Sequence, residues 1–212
     1  YARYTTRPQH CWRYAVLIGL LAGCAILNKW LTGILVYAGW GINLLLQTPQ
    51  QRRAEILHMA AAVMVTVLVF LPWQLYIHHR FPEEAAYEAA LNNRHLWERV
   101  EGHWGTNFFY LDAFPEYFGE IGWFLVPAGF VVLLLQLRKR RIPNATLGNA
   151  MLVWFSVTFV FFSYVATTKI IGFFYIVAPL GIIFMAVAGY EMQRQFQLYG
   201  RQFLAHKLPA VL

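Results

Sequence analysis

Charge is scarce in this sequence, and negative charge scarcer still. Of 212 residues 13% are charged, about half the share usual in a soluble domain, and only 10 are acidic against 17 basic. Cysteine occurs twice, at Cys11 and Cys24, one beside an apolar block and one inside it. That excludes a disulfide framework and leaves the redox compartment unread. No pair of histidines or cysteines has zinc-finger or metalloprotease spacing, so no metal-ligating set is assigned. There is no evident internal repeat. The basic residues form no single patch interleaved with aromatics, which argues against nucleic acid as a partner.

What is present is apolar. Hydrophobic residues make up 59% of the chain, aromatics 17%, and the mean hydropathy is +0.46. Enclosing that much apolar surface in water would need a larger core than a chain of this length can build. The expected fold is an all-α integral membrane protein forming a single membrane domain over residues 1–212. Because a membrane block follows Tyr1 almost at once, with no initiating methionine, the chain reads as part of a longer protein.

Apolar blocks fall at 12–27, 30–46, 56–77, 118–137, 149–166 and 170–189, against about 20 residues for a helical span. With all six as spans, four segments share one side: 1–13, 47–55, 138–146 and 190–212. They hold twelve of the 17 Lys and Arg: Arg3, Arg7, Arg13, Arg52, Arg53, Arg138, Lys139, Arg140, Arg141, Arg194, Arg201 and Lys207. The other side keeps Lys29, Arg80, Arg94, Arg99 and Lys169. The positive-inside rule thus favours about six transmembrane helices with both chain ends cytoplasmic. The alternative, one span over 12–46, would strand Lys29 in mid-membrane at a cost of roughly 2.5–3.5 kcal/mol.

In the six-span topology Lys29 and Lys169 each sit at a short external turn, "LNKW" and "ATTK". Trp30 suits an interfacial anchor. Either lysine can be a snorkelling turn residue without function. Together they can also clamp a lipid phosphate at headgroup depth. Gly19 and Gly23 form a GxxxG, which signals close helix packing. Pro72, Pro127 and Pro179 are expected to kink or terminate helices, and the sequon at Asn144 lies on the inner side.

The long external segment, 78–117, holds seven of the ten acids and four of the seven histidines. Pro82 followed by Glu83 and Glu84 suits a helix start. Ala86, Ala90, Leu91 and Trp97 would form the apolar face of an amphipathic helix lying on the outer surface. Beyond it, "EGHWG" reads as a turn and "TNFFYLDAFPEYF" as an aromatic belt re-entering the bilayer. His95, Arg99, Glu101 and His103 fall within nine residues. They either solvate a loop or form a site, with His103 or Glu101 as general acid or base and Arg99 facing an anionic group.

The stretch "RHLWERVEGHWGTNFFYL" (94–111) resembles the external loop of polyprenyl-phosphate-sugar-dependent glycosyltransferases. These form the dolichyl-phosphate-mannose protein mannosyltransferase-like family, which includes the lipid A aminoarabinose transferases. "GLLAGCAILNKWLTGILV" (19–36), "LPWQLY" (71–76) and "SYVATTKIIGFFYIVAPLGIIFMA" (163–186) resemble further segments of that family. The chain departs from its pattern at Asn28, where threonine is usual, and at Thr106, where proline is frequent.

The resemblance implies a C-type enzyme of a bacterial inner membrane that moves a sugar from a polyprenyl-phosphate donor to a lipid or protein acceptor on the external face. On it, Lys29, Lys169, Arg99 and His95 lie near the donor phosphate. The catalytic carboxylate is expected in a first external loop ahead of Tyr1, which would leave this portion inactive alone. No cofactor is assigned; a divalent metal is an alternative to the lysines for stabilising the phosphate charge. The competing reading is a transporter or flippase fragment for an anionic or lipid-linked substrate, against which stands the near absence of charge deep in the spans.

Overall fold

The computed structural model describes residues 11–28, 32–139, 142 and 144–207. Among these the chain is all helical, without strands. The helices are α1 (Cys11–Asn28), α2 (Thr32–Leu45), α3 (Pro49–Arg80), α4 (Pro82–Trp97), α5 (Phe109–Asp112), α6 (Phe114–Phe118), α7 (Gly122–Arg138), α8 (Ala145–Val160) and α9 (Ala178–Lys207). A π-turn, Phe161–Val165, extends α8, and a 3₁₀ segment, Ile171–Val177, leads into α9.

Among the described residues, four stretches are long and apolar enough to cross a membrane: Cys11–Asn28, Arg52–Arg80, Ala145–Val165 and Ile171–Tyr199. The two other expected spans fold as shorter apolar helices. At 14 and 17 residues, α2 and α7 are about 21 and 26 Å long, under the roughly 30 Å hydrocarbon thickness of a bilayer. Helix ends also run past the apolar blocks. Pro49 stands at the first helical position of α3, where its missing N–H costs nothing, so the helix begins seven residues before the block does. Pro72 and Pro127 lie inside α3 and α7. Pro179 is different: as the second residue of α9 it starts a helix instead of ending one.

Close backbone approach organises the packing. A Cβ added at Gly19 or Gly23 would meet α3 within 2.3 Å of the Ala62 carbonyl and 2.6 Å of Val69. The GxxxG is therefore a contact face, and matching 19 with 62 and 23 with 69 makes α1 and α3 parallel. Thr66, buried there, donates to the Gly19 carbonyl at 2.8 Å. Gly33 packs on Ala22 and Ile26, so α1 and α2 lie side by side as two helices. Arg52 closes the far end of α2 by donating to the carbonyls of Leu44, Leu45 and Gln47.

In the second half, Gly129 lies where a Cβ would come within 1.7 Å of the Phe184 carbonyl, and Gln136 reaches Glu191 at 3.3 Å. Seven residues on each helix separate these contacts, so α7 and α9 are parallel. Asn144 caps α8 by accepting from the Leu147 amide at 2.9 Å. Trp154 joins the halves, its ring filling the space beside Gly39 and its Nε1 donating to the Val36 carbonyl at 3.2 Å.

The main core is aromatic: Tyr110, Phe114, Phe155, Phe162, Phe174 and Phe184 are all buried. This corrects the expectation for 106–118. Tyr110 and Phe114 are not belt residues; their rings stack on Phe174 at 5.4 and 6.0 Å.

Candidate functional site

The site is built where the segment 166–170 meets the loop after α4. The α3 helix breaks at Phe81 because Pro82 pushes the residue before it out of the α region; its φ is −136° and its ψ 61°. Pro82 then opens α4, which ends at Trp97. Glu98 is extended. From here 98–108 runs as a loop with a tight turn at Glu101–Gly102, both with positive φ (57° and 73°), and a second at 107–108. The His103 amide closes the first turn on the Val100 carbonyl at 3.0 Å. Gly102 accepts such a conformation freely, whereas Glu101 adopts it at a cost of about 1–2 kcal/mol.

A helix leaves its last four carbonyls without partners, and segment 166–170 supplies them for two helices at once. For α4, the Thr168 amide donates to the His95 carbonyl at 3.1 Å. The Thr167 amide and hydroxyl both donate to that of Leu96, at 3.1 and 2.9 Å. The Thr168 hydroxyl donates to the Glu98 carbonyl at 2.8 Å and accepts from the Val100 amide at 3.3 Å, and the Lys169 amide reaches the His103 carbonyl at 3.4 Å. For α8 and its π-turn, the Lys169 ammonium donates to the carbonyls of Phe162, Ser163 and Ala166 at 2.6, 2.7 and 2.7 Å. Tyr110 and Tyr117 fasten the next residues by donating to the carbonyls of Ile170 and Ile171 at 3.1 and 2.6 Å.

Lys169 is therefore buried, 4% exposed, and all three of its N–H donors are engaged. Burial strips water from the ammonium and draws its pKa below the ordinary lysine value. Burial likewise pushes the Tyr110 phenol up to about 12 and the Tyr117 phenol above its usual value. In this arrangement Lys169 is a double helix-end cap, without a free N–H to offer a phosphate.

The remaining sequence-derived candidates divide into two groups. His95 is half-buried, its ring edge-on to Phe173 at 6.5 Å and its Nδ1 enclosed without a partner. Arg99, Glu101 and His103 are exposed on the loop, with the Arg99 guanidinium 5.6 Å over the Trp104 ring. The ion pairs among the described residues, Arg94–Glu98 and Arg194–Glu191, include none of these three. Segment 166–170 is thus a strap that brings His95, His103 and Lys169 together through the backbone and leaves Arg99, Glu101 and His103 exposed. Lys29 and Trp30 lie outside the described residues. Among those described, no three His, Cys, Asp or Glu side chains converge as a metal site.

Sequence reasoning also missed residues. On the expected apolar face of α4, Ala86, Ala90 and Trp97 are exposed and Leu91 is half-buried; Ala85, not among the expected residues, is buried. Thr167 and Thr168 hold the loop in place and were not singled out; two hydroxyl residues beside an isolated lysine just after an apolar helix are the signal that could have pointed to capping. The chain matches no family model, no curated protein and no solved structure.

Proposed function

We propose that this chain carries the donor side of a membrane glycosyltransferase that moves a sugar from a polyprenyl phosphate to a lipid or protein acceptor. It would work in a bacterial inner membrane, with the loop 78–117 on the external face and both ends of the chain cytoplasmic. The observation supporting this most directly is the docking of the 95–103 loop on 166–170. It holds Arg99, Glu101 and His103 exposed beside the end of an apolar helix bundle, where a lipid phosphate would lie.

In the reaction the acceptor oxygen bonds to the anomeric carbon as the bond from that carbon to the phosphate oxygen breaks. The phosphate leaves with the electron pair, and the acceptor proton passes to a carboxylate base. The Arg99 guanidinium, over the Trp104 ring, offers planar paired donors to the departing phosphate, and His103 supplies a further donor. Lys169 and the two threonines hold the loop in position.

The test is transfer from a defined polyprenyl-phosphate sugar by the protein expressed from its full gene in vesicles. Arg99→Ala should weaken donor binding about tenfold, the effect of one lost charged hydrogen bond. Donor binding unchanged in an Arg99→Ala/His103→Ala double variant, or a full gene without an upstream span and acidic external loop, refutes the reading.

A further inference from the structure

A second feature lies at the other end of α7 and α9, away from the loop. Between the two helices runs an open groove of about 660 Å³. Ala128 and Val132 of α7 form one wall; Met192, Phe196 and Tyr199 of α9 form the other. The three α9 residues recur at i, i+4 and i+7, so they make one stripe. They are 63%, 85% and 73% exposed, an apolar stripe left open to an occupant.

The polar group in the groove is neutralised. Glu191 accepts from Arg194 at 2.6 Å, from Gln195 at 2.7 Å and from Gln136 at 3.3 Å. The rim is basic instead. Gln136 is level with Glu191, so Arg138 and Lys139, exposed at the end of α7, stand beside the α9 segment that follows Glu191. In sequence Arg140 and Arg141 come next. Arg194 is spent on Glu191 in a 2.6 Å ion pair, whereas Arg138 and Lys139 are in no ion pair of the described residues. An apolar trough ending in unneutralised cations is complementary to a molecule with a hydrocarbon tail and an anionic head.

We infer that the α7–α9 groove binds an anionic glycerophospholipid, one acyl chain along Ala128, Val132 and Met192 and the phosphate beside Arg138 and Lys139. This inference is independent of the glycosyltransferase reading, because it uses no residue of the 95–103 loop or of the 166–170 strap.

The test takes the protein from its full gene, reconstituted in phosphatidylcholine vesicles with or without phosphatidylglycerol, and reads retained lipid by native mass spectrometry. The wild type should retain phosphatidylglycerol in preference to phosphatidylcholine. Arg138→Glu/Lys139→Glu should cut that preference about tenfold or more while lipid still binds, since each basic side chain at an anionic surface contributes on the order of a few-fold. Ala128→Trp fills the trough and should abolish retention of both lipids. Ala128 is exposed, and Met192→Trp gives the same reading should the first variant fail to fold. Wild-type retention without headgroup preference overturns the inference. So does lipid retention unchanged by Trp at 128 and 192, or a dimer of this chain that those substitutions abolish.

Discussion

Replacing Lys169 by Met removes the ammonium but keeps the length and the apolar stem, and its cost can be worked from the geometry. Three carbonyls, of Phe162, Ser163 and Ala166, lose their donor at a site that is 4% exposed. Each buried acceptor left unsatisfied costs about 1–3 kcal/mol. Taking the low end for each, because a carbonyl has a second lone pair and the variant no longer buries a charge, gives about 3 kcal/mol. At about 2–4 °C per kcal/mol for a chain of this size, the unfolding midpoint should fall by roughly 6–12 °C. The loss should be local first. Hydrogen exchange should accelerate in 161–168 and, through the threonine bonds, in 95–103. The assay is thermal unfolding followed by intrinsic fluorescence, with exchange read by mass spectrometry. A variant with wild-type midpoint and exchange but impaired donor binding would refute the capping argument and restore Lys169 as a phosphate contact.

Two further outcomes follow from the same region. Glu101→Gly relieves a non-glycine residue at φ 57° and should strengthen the turn by about 1 kcal/mol, seen as roughly fivefold slower exchange of the His103 amide; faster exchange would show that the carboxylate holds the turn. The same variant separates chemistry from structure, since transfer lost from a tighter loop points to the carboxylate itself. Tyr110 is fully buried and its phenol is pushed up to about 12 by burial, against 10 for an exposed tyrosine. A pKa raised in the folded state means stability present below pH 10 and lost as pH rises towards 12, roughly 3 kcal/mol in all. The tyrosinate absorption of Tyr110→Phe should lack that late alkaline step, and its fold should resist high pH better than the wild type; an identical alkaline transition would refute the assignment.

The features legible in the sequence were those carried by side-chain pattern. Apolar blocks located the helices, two glycines four apart located a close contact, and Pro82 with its glutamates located the start of α4. Helix ends were not legible, because Pro49 and the polar turn after it extend α3 in a way hydropathy does not see. The aromatic run 108–118 misled for a related reason. A ring bound for a lipid interface and a ring bound for the core have the same composition, and only Phe174, some sixty residues later, decides that Tyr110 and Phe114 go inside.

The strap was illegible for a deeper reason. Its acceptors are backbone carbonyls of His95, Leu96, Phe162 and Ser163, and a carbonyl has no letter in the sequence. An isolated lysine between apolar segments therefore has two readings that composition cannot separate, a contact for a bound anion or a cap for a helix end. What separates them is the number of N–H groups left over. Lys169 has three and uses three. Any phosphate arriving there would have to displace carbonyls held at 2.6–2.7 Å and leave them buried, at a cost comparable to what it gains. Arg99 meets the opposite condition: its guanidinium is exposed, braced against Trp104, and outside both ion pairs of the described residues. If an anionic donor binds at this end of the bundle, Arg99 is a cation that can meet it without unmaking the fold, and Lys169 is the reason the loop carrying Arg99 has a fixed place to stand.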